Sequence, residues 1–361
     1  MKKIKKSILC VAALMAVTAA VYAEKFTIAV ISDTQNYCDY RYQRDSNPPY
    51  AFDHGDIFKR QMKYIANNSI KNGGDIAFAI HVGDIVQNGA KYESEWKIAD
   101  DAMSILDNTV PYLVVPGNHD YDNPKDYSVA GLKSYVKYFG PKSKHFAGKK
   151  WYGGADETGA NSYAKFKADG KEFMVLGLQT EPSHEGLVWA QKILDKNKNI
   201  PVILDIHEYL GARYDSACPG TPVYLDDKLR ADNPGSAQDV WDNLVSKNDQ
   251  IFLIVCGHDF RWRDNEQHHE EGEMVRTDKN NNGYPVYQLL SDYQGRKEID
   301  KYLGLNAHGS GDGWMRLMEF DLKNNQINIK TYSTELNCYE TDLNSQFTIK
   351  LDFDWNKRFG K

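Results

Sequence analysis

Five short apolar runs rich in β-branched residues recur along the chain, and each ends in polar residues able to do chemistry. The runs are Phe26 to Ile31, Ile76 to Ile80, Tyr112 to Val115, Val202 to Ile206 and Ile251 to Cys256. Runs of this length without polar alternation predict strands buried on both faces, as in α/β folds. Helical spacing fills the gaps. Phe58, Met62, Ile65 and Ile70 share one helix face, and Trp96, Ala99, Met103 and Leu106 share another. Leu187 to Leu194 and Val240 to Val245 repeat the pattern. After about residue 270 the texture turns β-rich, with strands expected over Val286 to Leu290, Met315 to Phe320, Ile327 to Tyr332 and Phe347 to Leu351.

The polar residues fall in one structural position. Asp33 and Gln35 follow the first run, Gly83-Asp84 the second and Gly117-Asn118-His119-Asp120 the third. His207 ends the fourth, and Gly257-His258 ends the fifth. Carboxyl ends of strands in an α/β sheet form the edge where ligands bind, so five segments deliver oxygen and imidazole to one place. A lone Asp after a strand is usually a helix cap and a lone His an ordinary core or surface residue; five together are neither. Carboxylate, amide oxygen and imidazole suit divalent Mn, Fe or Zn, and no thiolate is offered. Asp84, in its Gly-Asp turn, is placed to bridge two ions. Such a pair binds a phosphate ester and generates hydroxide at neutral pH.

The spaced set Asp33-Thr-Gln35, Gly83-Asp84-Ile-Val-Gln87-Asn88, Gly117-Asn118-His119-Asp120, His207 and Gly257-His258 resembles the calcineurin-like metallophosphoesterase superfamily. It looks closest to a bacterial exported branch with Asp-Thr-Gln at the first motif. The tail resembles that branch too, in Tyr287 to Gln294, Gly313 to Asp321 and Thr331-Tyr-Ser. The resemblance implies an α/β fold: a four-layer α-β-β-α sandwich of two facing mixed sheets, with a β-rich C-terminal part. It implies one ion held by Asp33, Gln35 and Asp84, and another by Asp84, Asn118, His207 and His258. It also implies His119 as general acid, oriented by Asp120, with metal-generated hydroxide as nucleophile on a phosphate mono- or diester. Imidazole has the pKa range for that work.

Two positions depart from the superfamily pattern. Gln35 stands where His is usual, and the final Gly-His-x-His reads Gly257-His258-Asp259-Phe260. A phenyl ring cannot ligate a metal, so one site keeps its ligands while its partner has lost a nitrogen at each altered position. Asp259 is a candidate substitute only if it leaves the direction expected for its place. Phe260 therefore sustains an alternative: a non-catalytic or weakly active protein that binds metal or phosphate ester on the same fold. A carbohydrate-associated surface protein is a third reading.

The N-terminus has Lys2, Lys3, Lys5 and Lys6, then an apolar stretch from Ile8 to Val21, then Val21-Tyr22-Ala23. That is the pattern of a cleaved signal peptide over residues 1–23, which predicts export to the periplasm or outside and a mature domain over 24–361. No other apolar run approaches membrane length. A net charge of -6 gives no nucleic-acid-binding signature, while a bound cation would still let the site take a small anionic ester. Cys38, Cys218, Cys256 and Cys338 are scattered and form no CxxC pair. Asp278 to Gly283 mimics the start of a calcium loop, but Leu289 occupies the twelfth position and a hairpin turn fits better. His81 reads as a core or supporting histidine, and His268 and His269 as solvated residues. Arg261 and Arg263 are equally consistent with a phosphate clamp or a plain surface. Core and sheet packing accounts for most of the 23 tyrosines.

Overall fold

The computed structural model describes residues 25–41, 45, 53–123, 131–214, 221–225, 235–260, 272–296, 302 and 311–360. Residues 1–23, Cys218, Arg261, Arg263, His268 and His269 lie outside them. The strands are β1 (Phe26–Ile31), β2 (Ile76–His81), β3 (Tyr112–Val114), β4 (Tyr152–Ala155), β5 (Ser162–Ala168), β6 (Lys171–Leu178), β7 (Val202–Ile206) and β8 (Leu210–Tyr214). They continue with β9 (Pro222–Tyr224), β10 (Ile251–Cys256), β11 (Glu273–Lys279), β12 (Pro285–Ser291), β13 (Trp314–Asp321), β14 (Gln326–Ser333), β15 (Cys338–Glu340) and β16 (Phe347–Lys350). The α-helices are α1 (Gln35–Cys38), α2 (Gly55–Asn67), α3 (Glu93–Met103), α4 (Lys133–Phe139), α5 (His184–Lys196), α6 (Ala237–Asn243) and α7 (Trp355–Phe359).

Two mixed sheets result. The first runs β15-β14-β13-β1-β2-β3 with β16 on β14, and the second runs β11-β12-β10-β7-β6-β5-β4. β1, β2 and β3 are parallel, and so are β6, β7, β10 and β12. Side-chain alternation then builds the layers. Phe26, Ile28 and Val30 of β1 join Phe78, Phe173, Ile203 and Val255 between the sheets. Ala29 and Ile31 face Phe58, Met62 and Trp96 of α2 and α3. On the other side Leu204, Ile206 and Ile254 pack against Leu187, Leu194 and Val240 of α5 and α6. This is the expected α-β-β-α sandwich, and the β-rich C-terminal part completes both sheets.

All five expected strands form, within a residue of their expected ends. Ile70 does not belong to the face of α2; it lies in a separate 3-10 turn and is 49% exposed. β4 to β6 were not anticipated: lysines interrupt Ser162–Ala168, which buries alternate residues only, and β4 is short and glycine-rich, whereas Phe173–Leu178 of β6 is a buried apolar run like the five expected ones. The hairpin turn expected near Asp278 to Gly283 forms over Asn280 to Tyr284, Asp278 and Lys279 still being paired in β11: the Asn280 side chain accepts from the amides of Asn282 and Tyr284 at 3.1 and 2.9 Å.

A buried ionic cluster ties the C-terminal strands together. Glu273 accepts from Arg316 Nη2 at 2.6 Å, from the Tyr293 hydroxyl and the Thr331 hydroxyl at 2.7 Å each, and from Ser345. Burial works against its charge, but Arg316 and Arg296 outweigh that and hold the carboxyl below its ordinary value of 4.5. The stabilisation is therefore present above that value and lost as pH falls below it. Glu273→Gln leaves the buried Arg316 guanidinium uncompensated and Arg296 with Glu340 alone, and we expect a loss of about 3–5 kcal/mol at neutral pH in urea unfolding, narrowing in acid. A loss under about 1 kcal/mol would contradict this account of the cluster.

Candidate metal centre

The turn after β2 sets the geometry. Asp84 sits at φ 49 and Gly83 at φ 101, a left-handed pair that turns the chain sharply. The Asp84 carboxylate then reaches three other segments. Its Oδ1 accepts from the His119 amide at 2.8 Å and lies 3.4 Å from His207 Nε2, while its Oδ2 accepts from Gln35 Nε2 at 3.1 Å. The Asp84 carbonyl accepts from the Thr34 amide at 3.0 Å. Burial opposes the charge, yet His207, His119 and His258 hold the carboxyl below its usual range. Gly117 is packed so closely that a Cβ there would lie 2.2 Å from Asp84 N and Oδ1. A Cβ on Gly257 would lie 2.2 Å from Asp33 Oδ1.

His207 and His258 meet on the other side. His207 is fully buried, and its Nδ1 donates to the Val82 carbonyl at 2.9 Å, which leaves Nε2 as the ring nitrogen facing inward. That Nε2 is 3.0 Å from Asn118 Oδ1 and 3.2 Å from His258 Nδ1, and Asn118 Oδ1 is 2.8 Å from His258 Nδ1. His258, like Asp84, is left-handed, at φ 76. Ligand atoms of Asp84, His207 and His258 all lie within 4.8 Å of one another. Burial disfavours charge on His207, but the Asp84 carboxylate overrides it and lifts the imidazole to about 10, so a positive charge is wanted here. A divalent cation satisfies the same atoms, and the donor set fits one.

Asp33, Gln35, Asn118 and His119 come to this edge as expected. Asp33 is buried and accepts weakly from the His258 amide at 3.3–3.4 Å. His119 is half-buried, and its Nδ1 donates to the Gln87 carbonyl at 3.0 Å. Asp120, expected to orient His119, does something else. Its carboxylate accepts from the amides of Gly117, Ile85 and Val86 at 2.8–3.0 Å and so clamps the turn after β3 onto the turn after β2. The reason is direction: the 3-10 turn Asn118–Asp120 sends Asp120 into the core and leaves His119 at the surface. Asp259 also turns away, its Oδ2 accepting from the Ala212 amide at 2.9 Å, so it does not replace the ligand missing at Phe260. His81 is a core residue: Gly83 N donates to its Nδ1, its Nε2 meets the Thr34 hydroxyl, and burial pushes it down to about 3.

Asp292 and Gln294 were missed. They follow β12, which lies parallel beside β10, so its carboxyl end reaches the same edge. Val286 to Leu290 reads as a strand in the sequence, and applying the strand-end argument to it finds Asp292. Asp205, two residues before His207, is also fully buried, with neither carboxylate oxygen hydrogen-bonded, and burial holds it well above the usual range.

Two facing mixed sheets with this donor set at their shared edge define a metallophosphoesterase-type centre. The chain belongs to the calcineurin-like phosphoesterase family, which it matches over residues 26–262. That family is metal-dependent and hydrolyses phosphoesters. The uncharacterized Bacillus subtilis (strain 168) protein YvnB is 28% identical over 339 residues, a match covering 91% of this chain and 22% of YvnB. The chain thus spans about a fifth of that relative's length. Among solved structures, the Candida albicans 5'-nucleotidase is 10% identical over 86% of this chain and 52% of its own, with a TM-score of 0.42. Aquifex aeolicus protein AQ665 is 19% identical over 50% of this chain and 79% of its own, with a TM-score of 0.19. Likenesses at these scores carry no argument about substrate.

Gly117→Ala tests the packing around Asp84. Because the new methyl would collide with backbone and carboxylate together, we expect at least tenfold weaker cation binding by calorimetry and a stability loss on the order of 2–4 kcal/mol. Unchanged affinity would mean that Asp84 does not need its present position.

Proposed function

We propose that the protein hydrolyses a phosphate mono- or diester outside the cytoplasm, with a divalent cation on Asp84, Asn118, His207 and His258 and His119 as general acid. The observation that carries this is the tie between His119 and the cation group. The His119 amide is bonded to Asp84 Oδ1, and its Nδ1 is bonded to the Gln87 carbonyl. A fixed Nδ1–H leaves Nε2 as the atom that gives up a proton to the leaving oxygen, and the carbonyl steadies the imidazolium beforehand. The cation supplies Lewis acidity towards a phosphoryl oxygen and makes water more acidic. Asp33 and Gln35 belong to a second, differently built position beside the first. Mn, Fe or Zn suits the two-imidazole position.

Aryl phosphate and bis-aryl phosphodiester, assayed with added Mn or Zn, test the reading. We expect turnover that chelation removes and that His119→Ala lowers by about 10²–10⁴-fold, with cation binding retained. Phe260 supports a competing reading of a binding protein without turnover. Cation binding with no activity above that of His119→Ala would favour that reading and sink ours.

Support for export is the basic, apolar and small-residue order of residues 1–23. Mass spectrometry of the protein from the exported fraction is expected to find Glu24 as the first residue. An intact Met1 to Ala23 segment on that material would refute cleavage there.

A further inference from the structure

We propose that Arg41 and Lys91, gathered on the ring of Tyr92 beside His119, form a subsite for a negative group on the departing alcohol, so that the protein prefers phosphate esters whose leaving group carries a second anion. This rests on the hydrolytic reading above and names the substrate class of that same site.

Two segments leave the candidate metal centre and meet again. One runs from Gln35, whose Nε2 donates to Asp84 Oδ2 at 3.1 Å, through α1 to Tyr40 and Arg41. The other runs from Gln87, whose carbonyl accepts from His119 Nδ1 at 3.0 Å, to Lys91 and Tyr92 just before α3. The second is built directly on the residue that acts as general acid. Gly89 N donates to the His119 carbonyl at 3.2 Å, and a Cβ on Gly89 would lie 2.8 Å from the Asp120 carbonyl oxygen. Trp96 Nε1 fixes the same turn by donating to the Gly89 carbonyl at 2.7 Å. The buried Glu95 carboxylate then joins the two segments. Its Oε2 accepts from Asn88 N at 2.7 Å, and its Oε1 accepts from Asn88 Nδ2 at 3.1 Å and from Tyr40 N at 3.3 Å. His119, with its amide on Asp84 and its carbonyl on Gly89, stands between the metal centre and this platform. The departing alcohol, whose oxygen takes its proton from His119, is the part of the ester that the platform can reach.

What the platform offers is positive charge. The ring centres of Tyr40 and Tyr92 are 5.6 Å apart, with the planes tilted by 41°. Lys91 Nζ lies 5.2 Å and Arg41 Cζ 6.0 Å from the centre of the Tyr92 ring. An electron-rich ring holds an ammonium and a guanidinium in place without using their N–H donors. Both side chains are exposed, so those donors face solvent and any ligand in it. The acidic neighbours have other work. Asp39 Oδ1 is 3.8 Å from Arg41 Nε and accepts from the Arg41 amide, Glu93 is bound to Lys137 and Tyr138, and Glu95 is bound to Asn88 and Tyr40. Two like charges gathered on one ring repel, and an anion between them removes that cost. A flat neutral leaving group would instead need the Tyr92 ring for itself, and both cations already claim it. Guanidinium takes a carboxylate or phosphate through paired bonds, and ammonium adds a point charge.

Steady-state kinetics on the purified, cation-loaded full chain test this with phenyl phosphate, meta-carboxyphenyl phosphate and meta-phosphonophenyl phosphate, whose leaving oxygens are of similar acidity. We expect kcat/KM for the better charged ester to exceed that for phenyl phosphate by about tenfold or more, and the better of the two names the anion. Arg41→Gln combined with Lys91→Gln should bring that ratio to within about twofold of unity. Arg41→Lys combined with Lys91→Arg keeps both charges and should retain most of the preference, and thermal melting confirms that both double variants are folded. A wild-type ratio near unity, or a folded glutamine double variant with the wild-type ratio, overturns the proposal. Failure of the hydrolytic reading looks different, since no ester would then be turned over. Calorimetric binding of the same esters to cation-loaded His119→Ala reads the subsite without turnover: tighter binding of a charged ester supports it, and equal affinity for charged and uncharged esters overturns it.

Discussion

A single buried carboxylate joins the segments that make the site. Asp84 meets His119 and His207 through Oδ1, Gln35 through Oδ2 and Thr34 through its carbonyl, so the ends of four strands from two sheets meet on one residue. Such a group is costly to bury unless every oxygen is used, and it reaches its partners only from a left-handed backbone. The neighbouring turn after β3 is shaped to allow this. Gly117 leaves room for the carboxylate, and Asp120 spends its own carboxylate on the amides of Ile85 and Val86, just beyond Asp84. Strain at Asp84 is thus maintained by the adjoining turn after β3 as well as by its own contacts.

A second system of buried charge fixes the far side. Tyr293 lies between Asp292 and Gln294 in the chain, donates its hydroxyl to Glu273 and has the Arg296 guanidinium 4.9 Å from its ring centre. Glu273 begins β11, Arg316 lies in β13 and Thr331 in β14, so members of both sheets converge on it. The tail of β12 is consequently held at both ends of one residue: amide to Ser32, hydroxyl to Glu273. That leaves Asp292 little freedom to swing.

Much of this was legible in the sequence, for a definite reason. Strands buried on both faces carry few polar residues to blur them, so β1, β7 and β10 could be bounded to the residue, although β6, as buried over Phe173–Leu178, was not anticipated, and the polar residues after them could be placed at one edge. Strands with one half-exposed face were harder. β5 buries only alternate positions, with Lys165 and Lys167 on the open side, and it passed unnoticed. Side-chain direction was least legible. Asp120 and His119 are adjacent, and nothing in their order says that a 3-10 turn sends one inward to backbone amides and leaves the other at the surface. Asp259 is similar, since its turn towards Ala212 depends on β8, whose position sequence spacing does not encode.

The loss of two histidines reads differently once the sheets are known. In the linear pattern, Gln35 and Phe260 remove two nitrogens and nothing replaces them. In the fold, the strand next to β10 also ends at this edge, and the buried carboxylate of Asp292 follows it. Replacing imidazole by an oxygen donor does not simply weaken a position; it changes which ion that position would prefer. An edge fed by several strands can therefore draw its polar groups from more than one of them while Asp84 stays in place, because that carboxylate is tied to four strand ends at once.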